Sequence, residues 1–290
     1  MLSIAFSHDG SKLVSGSLDR TLRLFDAISG AEVLEMRGHM GGILSVNFSR
    51  DGQRIVSGSG DMTVRVWSAI DGNNCTSPLR GHEDFVETVV FSPDGTLIAS
   101  GSMDATVRVW NAISGAAVLV MRGHETHISS LVFSPNGSQI ISGSLDKTLR
   151  VWDVHTGAQV FPALRGHTSH VTSVMCSASS HIISQSECES LSWDAATGYR
   201  IYVTEQSDHR LLGSMYITHD GWIVDSATGR TLGNLSTMML ASVCAIHERS
   251  LAVGTRSGRV LVLNFPPALL TISDTRTVED KMRKRYKAPP

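Results

Sequence analysis

An all-β fold built from repeated four-stranded antiparallel units is predicted by three observations. Gly-His pairs recur at Gly38-His39, Gly81-His82, Gly123-His124 and Gly166-His167, spaced 43, 42 and 43 residues apart. Between them the same pieces return in the same order: a Phe-Ser turn segment (Phe91-Ser92-Pro93-Asp94-Gly95), a Ser-Gly-Ser run (Ser100-Gly101-Ser102), an Asp (Asp104), and an alternating apolar strand, Val107 to Trp110, that ends on Trp. Asp51-Gly52, Asp94-Gly95 and Asn136-Gly137 separate the first two strands of their units, where Gly or Asn supplies the positive φ of a tight hairpin. A period of about 40–45 residues with these marks is that of a propeller blade. Such a sheet is apolar on both faces and cannot stand alone; packing blades radially buries the faces, and ring closure protects the edges. The expected architecture is a seven-bladed β-propeller of four-stranded antiparallel blades.

The blades are expected at about residues 2–36, 40–80, 83–122, 125–165, 168–204, 205–235 and 240–272, within one domain over 1–265 followed by a polar, basic tail over 273–290. In the second unit the strands read Leu44 to Phe48, Arg54 to Ser57 and Thr63 to Trp67, then a weaker outer strand before Gly81. The first blade starts abruptly, with Met1 where Ile43 stands in the second. Blade five keeps Gly166-His167 and Trp193-Asp194, whereas blade six retains only Asp220-Gly221-Trp222 and a hairpin from Asp225 to Leu232 that is like Asp153 to Val160. Blade seven recovers the pattern in Ala245-Ile246, Leu251 to Thr255 and Arg259 to Phe265, with Ala268 to Ile272 as its outer strand. Blades five and six should therefore be the least regular.

Composition narrows the class. Of the 290 residues 41% are hydrophobic, enough for a core, yet no run approaches the ~18 apolar residues of a membrane span. The start, Met1-Leu2-Ser3-Ile4-Ala5-Phe6, lacks the pattern of a secretory signal. Cys75, Cys176, Cys188 and Cys244 show no metal-type spacing and read as free thiols of a reducing compartment, so a cytoplasmic location is expected. A net charge of -2 with dispersed Lys and Arg gives no field that favours nucleic acid. Lys281 to Lys287 carries five positive charges in seven residues, which reads as a solvated end or as a nuclear address.

These residues together resemble the WD-repeat β-propeller family, most closely over blades two to four and clearly in blade one (Phe6-Ser7-His8-Asp9-Gly10, Ser15-Gly16-Ser17, Asp19, Phe25-Asp26). The near-identical blades, the Gly-Trp-Ile segment and the Asp-Ala-x-x-Gly hairpins are also similar to the propellers of large fungal signalling proteins that carry a NACHT nucleotide switch. No phosphate-loop motif occurs in this chain, so that resemblance implies the sensor part alone.

The repeated polar set is His39, Ser57, Asp61 and Trp67; His82, Ser100, Asp104 and Trp110; and His124, Ser142, Asp146 and Trp152, with His to Ser always 18 residues, Ser to Asp four and Asp to Trp six. The resemblance implies that each set is a hydrogen-bonded chain running from indole to hydroxyl to imidazole to carboxylate. A Ser-His-Asp set also invites the nucleophile reading, but an active site is needed once and this set occurs three times, so the structural reading is taken and no catalytic residue is assigned. Blade five has Cys188 where the Asp should stand, and blade one has Phe25 for the Trp and no His. His127 and His170 share an equivalent position without a carboxylate or Cys at ligand spacing, so neither a metal nor another cofactor is expected.

The family most often binds partners where the inner strands begin, at the channel mouth. The resemblance then places Gly42 and Leu44, Phe85 and Glu87, His127 and Ser129, and His170 and Thr172 there, one pair per blade. Phe85 is the strongest anchor candidate if exposed; the alternative is that it packs on the neighbouring blade. The expected function is a non-enzymatic, monomeric scaffold that binds a protein or peptide, with the sensor fragment of a larger receptor as the second reading and a propeller enzyme as the third.

Overall fold

The computed structural model describes residues 3–177 and 181–201, and beyond them the backbone of strand segments 215–217, 222–225, 231–234, 241–247, 250–255 and 260–264. The outer strand expected over 268–272 and the tail over 273–290 lie outside the described residues. Two compact units are formed, dividing between residues 205 and 206.

In the first unit the strands are β1 (Ser3–Phe6), β2 (Lys12–Gly16), β3 (Thr21–Asp26) and β4 (Glu32–Arg37); β5 (Ile43–Phe48), β6 (Arg54–Ser59) and β7 (Val64–Ser68); β8 (Val86–Phe91), β9 (Leu97–Ser102), β10 (Thr106–Asn111) and β11 (Ala117–Arg122); β12 (Ile128–Phe133), β13 (Gln139–Ser144), β14 (Thr148–Asp153) and β15 (Leu164–Arg165); and β16 (Val171–Cys176), β17 (His181–Ser186), β18 (Ser190–Asp194) and β19 (Arg200–Ile201). Each group is an antiparallel meander in sequence order. The second unit holds two further antiparallel sheets, β20 (Met215–Ile217), β21 (Trp222–Asp225) and β22 (Thr231–Asn234), then β23 (Ala241–His247), β24 (Ser250–Thr255) and β25 (Val260–Asn264). Every element among the described residues is a strand, and none is a helix long and apolar enough to cross a membrane.

The expectation of four strands in every blade needs correction. The second sheet has three, and its outer edge touches β7 only through isolated bridges, Val64 to Leu79 and Trp67 to Asn74. Pro78 lies in that segment, and a residue without an N–H cannot extend a ladder. The two sheets beyond residue 205 have three described strands each.

The hydrophobic cores lie between blades. One cluster joins Leu22, Leu24 and Met36 of the first sheet to Ile43, Phe48 and Trp67 of the second. Another joins Ala99, Val109 and Met121 of the third to Ile128, Phe133 and Trp152 of the fourth. Serine hydroxyls fasten neighbouring inner strands: Val46 N–H donates to Ser3 Oγ at 3.0 Å, Val89 N–H to Ser45 Oγ at 3.1 Å, and Val174 N–H to Ser130 Oγ at 3.1 Å. The alternation of each strand thus serves two interfaces, and the inner strands begin on a common face with the Gly-His loops.

Where the inner strands begin, pairing is irregular in the same way each time. The register shifts between Ile43 and Ser45, Val86 and Thr88, Ile128 and Ser130, and Val171 and Ser173. Leu44, Glu87, Ser129 and Thr172 are therefore the extra residues of four β-bulges, features that re-aim a side chain out of the ladder.

Candidate functional site

The Gly-His loops and the turns joining second to third strands share one face, and the polar sets hold it in place. Trp67 Nε1–H donates to Ser57 Oγ at 2.8 Å, the Ser57 hydroxyl meets His39 Nε2 at 2.8 Å, and His39 Nδ1 meets Asp61 Oδ2 at 2.8 Å. The other two sets repeat this. Trp110, Ser100, His82 and Asp104 are linked at 2.8, 2.8 and 2.8 Å, and Trp152, Ser142, His124 and Asp146 at 2.9, 2.8 and 2.7 Å. The carboxylate also caps the loop itself, accepting from Met40 N–H, Glu83 N–H and Glu125 N–H in turn. Burial alone would raise these carboxyl pKa values, but hydrogen bonds from His and Thr hold Asp61, Asp104 and Asp146 well below the usual range.

A threonine that the sequence reading did not single out belongs to each set. Thr63, Thr106 and Thr148 donate to Asp61, Asp104 and Asp146 Oδ1, each at 2.6 Å. Its signal was present as an Asp-x-Thr spacing, which recurs in blade one as Asp19 and Thr21. The intervening residue adopts a left-handed backbone at Arg20, Met62, Ala105 and Lys147, so the turn that presents the carboxylate is strained in each of the first four blades.

Blade five departs from expectation. Its Trp193, Ser184 and His167 are joined at 2.9 and 2.7 Å, but the acidic partner is Glu189 and not a residue at Cys188. The Ser-to-Trp segment is one residue shorter than in the other blades, and Glu189 takes over the loop cap by accepting from Thr168 N–H at 2.8 Å. Its oxygen lies 3.8 Å from His167 Nδ1, which is buried without a hydrogen-bond partner. Burial lowers the His167 pKa against the pull of Glu189.

These sets cannot act as nucleophiles. Ser57, Ser100, Ser142 and Ser184 are fully buried, and each hydroxyl already accepts an indole N–H, so no substrate reaches it. Among the described residues no three His, Cys, Asp or Glu side chains are grouped as metal ligands.

The partner-binding candidates lie above this layer at the blade junctions. Phe85 is 41% exposed and borders Gly60 of the preceding blade, while Leu18 borders Gly42 one junction earlier, so a large side chain meets a glycine in opposite senses. Glu87 is half-buried beside His127; burial and, less strongly, Asp84 raise its pKa against the opposing charge of His127. The remaining candidates have backbone partners. Ser129 Oγ donates to the Gly143 and Val171 carbonyls, Thr172 Oγ1 to the Gln185 carbonyl at 3.2 Å, and His170 Nδ1–H to the Leu145 carbonyl at 2.6 Å. Leu44 is partly buried at its bulge.

The model of the WD domain, G-beta repeat, matches four times, over residues 1–26, 30–68, 73–111 and 115–153. The first half of the chain is an array of WD repeats. No curated protein matches the chain. From the second match on, each WD repeat opens on the outer edge of one blade and ends on the third strand of the next: 30–68 contains β4 together with β5 to β7. The repeated unit of sequence thus straddles two blades, which couples each sheet covalently to the neighbour it must pack against. WD repeats typically serve as non-enzymatic modules that bind protein partners.

The depressed carboxylates of the WD repeats give a pH prediction. A carboxyl whose folded pKa lies below its unfolded value contributes stability that is present above about pH 4 and is lost as pH falls through the folded value. Unfolding midpoints of the wild type should therefore fall steeply below about pH 4. Asp104→Asn should be less stable at neutral pH yet show a shallower decline in acid. Denaturant titrations at several pH values check this, and an identical acid slope for both proteins would refute it.

Proposed function

We propose that the chain is a non-enzymatic scaffold that docks a protein or peptide on the face of the Gly-His loops, centred on Phe85 and Glu87. The observation that carries this is the contrast between layers of one face. The His-Ser-Asp-Trp layer is the same in three blades, whereas the layer above it reads Leu44, Glu87, Ser129 and Thr172 at the bulges and Gly42, Phe85, His127 and His170 beside them. A half-exposed aromatic ring next to a half-buried carboxylate suits an apolar anchor flanked by a basic or hydrogen-bonding group of the partner.

Finer readings extend this one. The sequence repeat carried through residues 205–265 supports a seven-bladed ring, and the Gly-Trp-Ile segment and turn motifs support the sensor portion of a NACHT-type receptor. The free thiols Cys75, Cys176 and Cys188 support a cytoplasmic setting.

The test is affinity capture from source-cell extract with wild type and with Phe85→Ala combined with Glu87→Lys, in protein confirmed to be folded. The partner recovered by the wild type should be lost. Recovery unchanged by the double substitution but abolished by removing residues 279–290 would place binding on the tail instead.

A further inference from the structure

Each of the first four blades carries an arginine at the same place in its third strand: Arg23, Arg65, Arg108 and Arg150. In three of them the outer segment of the same blade supplies an acceptor. Arg23 pairs with Glu35 at 3.3 Å, Arg65 Nη1 donates to Asn74 Oδ1 at 3.3 Å, and Arg150 Nη1 to Gln159 Oε1 at 2.5 Å. Arg108 differs. Its register partner on β11 is Val120, where the first blade places Glu35 opposite Arg23. The Nε of all four arginines is buried without a partner, but among the described residues Arg108 alone of the four also lacks a side-chain acceptor for its Nη atoms. A half-buried guanidinium with no counter-charge bears a desolvation cost that an incoming carboxylate would relieve.

The strand that withholds the acceptor is also, among the described residues of the first four blades, the longest outer edge without an internal charge or a proline. Outer edges are templates for pairing with another chain, and proteins blunt them with charge, proline or short length. Here β4 carries Glu32, Glu35 and Arg37, the outer segment of the second blade contains Pro78, and β15 has two residues and follows Pro162. By contrast β11 runs Ala-Val-Leu-Val-Met-Arg, six residues with no charge before its last, and Val118 and Val120 are exposed. Among the described residues it pairs with β10 alone, and its other side has no strand partner.

We propose that β11 is a second docking site, which takes an extended peptide as a fifth strand of the third blade, the peptide carrying an aspartate or glutamate that pairs with Arg108. Strand addition draws its affinity from main-chain hydrogen bonds and its specificity from alternate side chains. Neighbouring strands lie about 4.8 Å apart, so a residue beside Val120 on the added strand is roughly 10 Å from the Arg108 backbone. An extended arginine and an acidic side chain span that gap together. This site is separate from the Phe85 face and does not depend on it.

Selection of a displayed library of random linear peptides against the full chain tests the proposal, with Val120→Glu and Arg108→Gln as variants. Val120→Glu reproduces the first blade's arrangement, giving Arg108 an internal acceptor and charging the edge. Selected peptides should alternate apolar residues with an Asp or Glu, and their affinity should fall about tenfold or more in Val120→Glu. In Arg108→Gln, exchanging the peptide's acid for its amide should no longer matter. Val118→Lys serves as a second edge charge should Val120→Glu fail to fold. The proposal is overturned if no peptide is selected, if binding survives the edge charge, or if acid preference persists without Arg108. A dimer in sedimentation that Val120→Glu dissolves would overturn it too, since the edge would then belong to a second copy of the chain.

Discussion

His82→Ala is expected to destabilise the protein by about 1–3 kcal/mol. The imidazole joins Ser100 Oγ and Asp104 Oδ2, both at 2.8 Å, and its side chain is 1% exposed. Removing it takes one donor from a mostly buried carboxylate, which keeps those of Glu83 and Thr106, and leaves the Ser100 hydroxyl, which still accepts from Trp110, without its acceptor. Burying a polar group that has lost its partner costs more than the bond contributed, because water cannot replace it. His181→Ala provides the comparison: His181 is exposed and lies outside the sets, so its loss should change stability by no more than about 0.5 kcal/mol. Equal unfolding midpoints for the two variants in denaturant would show that the set carries no stability.

Gly101→Ala should cost a similar amount, for a different reason. A Cβ at residue 101 would lie 2.5 Å from Ile128 Cγ2 and 2.9 Å from both Ile128 Cβ and Thr88 Cγ2, and Ile128 is fully buried between blades three and four. Overpacking of a closed interface costs about 1–3 kcal/mol. Trimming the partner should recover part of it, so Gly101→Ala with Ile128→Ala should be less destabilised than the sum of the singles. Strict additivity in denaturant unfolding would exclude a steric cause. The same approach recurs at Gly58 against Val86 and Gly143 against Val171, whereas blade five has Gln185 in this position.

Legibility in the sequence followed repetition. His39, Ser57, Asp61 and Trp67 stood out because the same four residues return at the same spacings, and the structure brings each set within hydrogen-bonding distance. Thr63, Thr106 and Thr148 repeat as faithfully but were passed over, since threonine is ordinary in a strand and only the turn geometry aims its hydroxyl at the carboxylate. Counted from Ser184 the repeat points to Cys188, because the Ser itself is displaced by one residue; counted from His167, Glu189 stands 22 residues on, as Asp61, Asp104 and Asp146 do from their histidines, and that spacing marks it. That Ser129, Thr172 and His170 are already bonded to backbone carbonyls was hidden, as their acceptors come from pairing partners or from neighbouring blades.

The sequence by itself determined the all-β class, the strand-turn-strand order of each WD repeat and the identity of the buried polar sets. All three rest on local signals: alternation, turn residues and a fixed period within about 45 residues. Only the tertiary structure decided which residues the bulges project, which glycines are pressed by the next blade and which residue stands across from Arg108. Those outcomes depend on register and on contacts between neighbouring repeats, where Arg108 meets Val120 and not an acid, and one chain position carries no record of what the fold will place across from it.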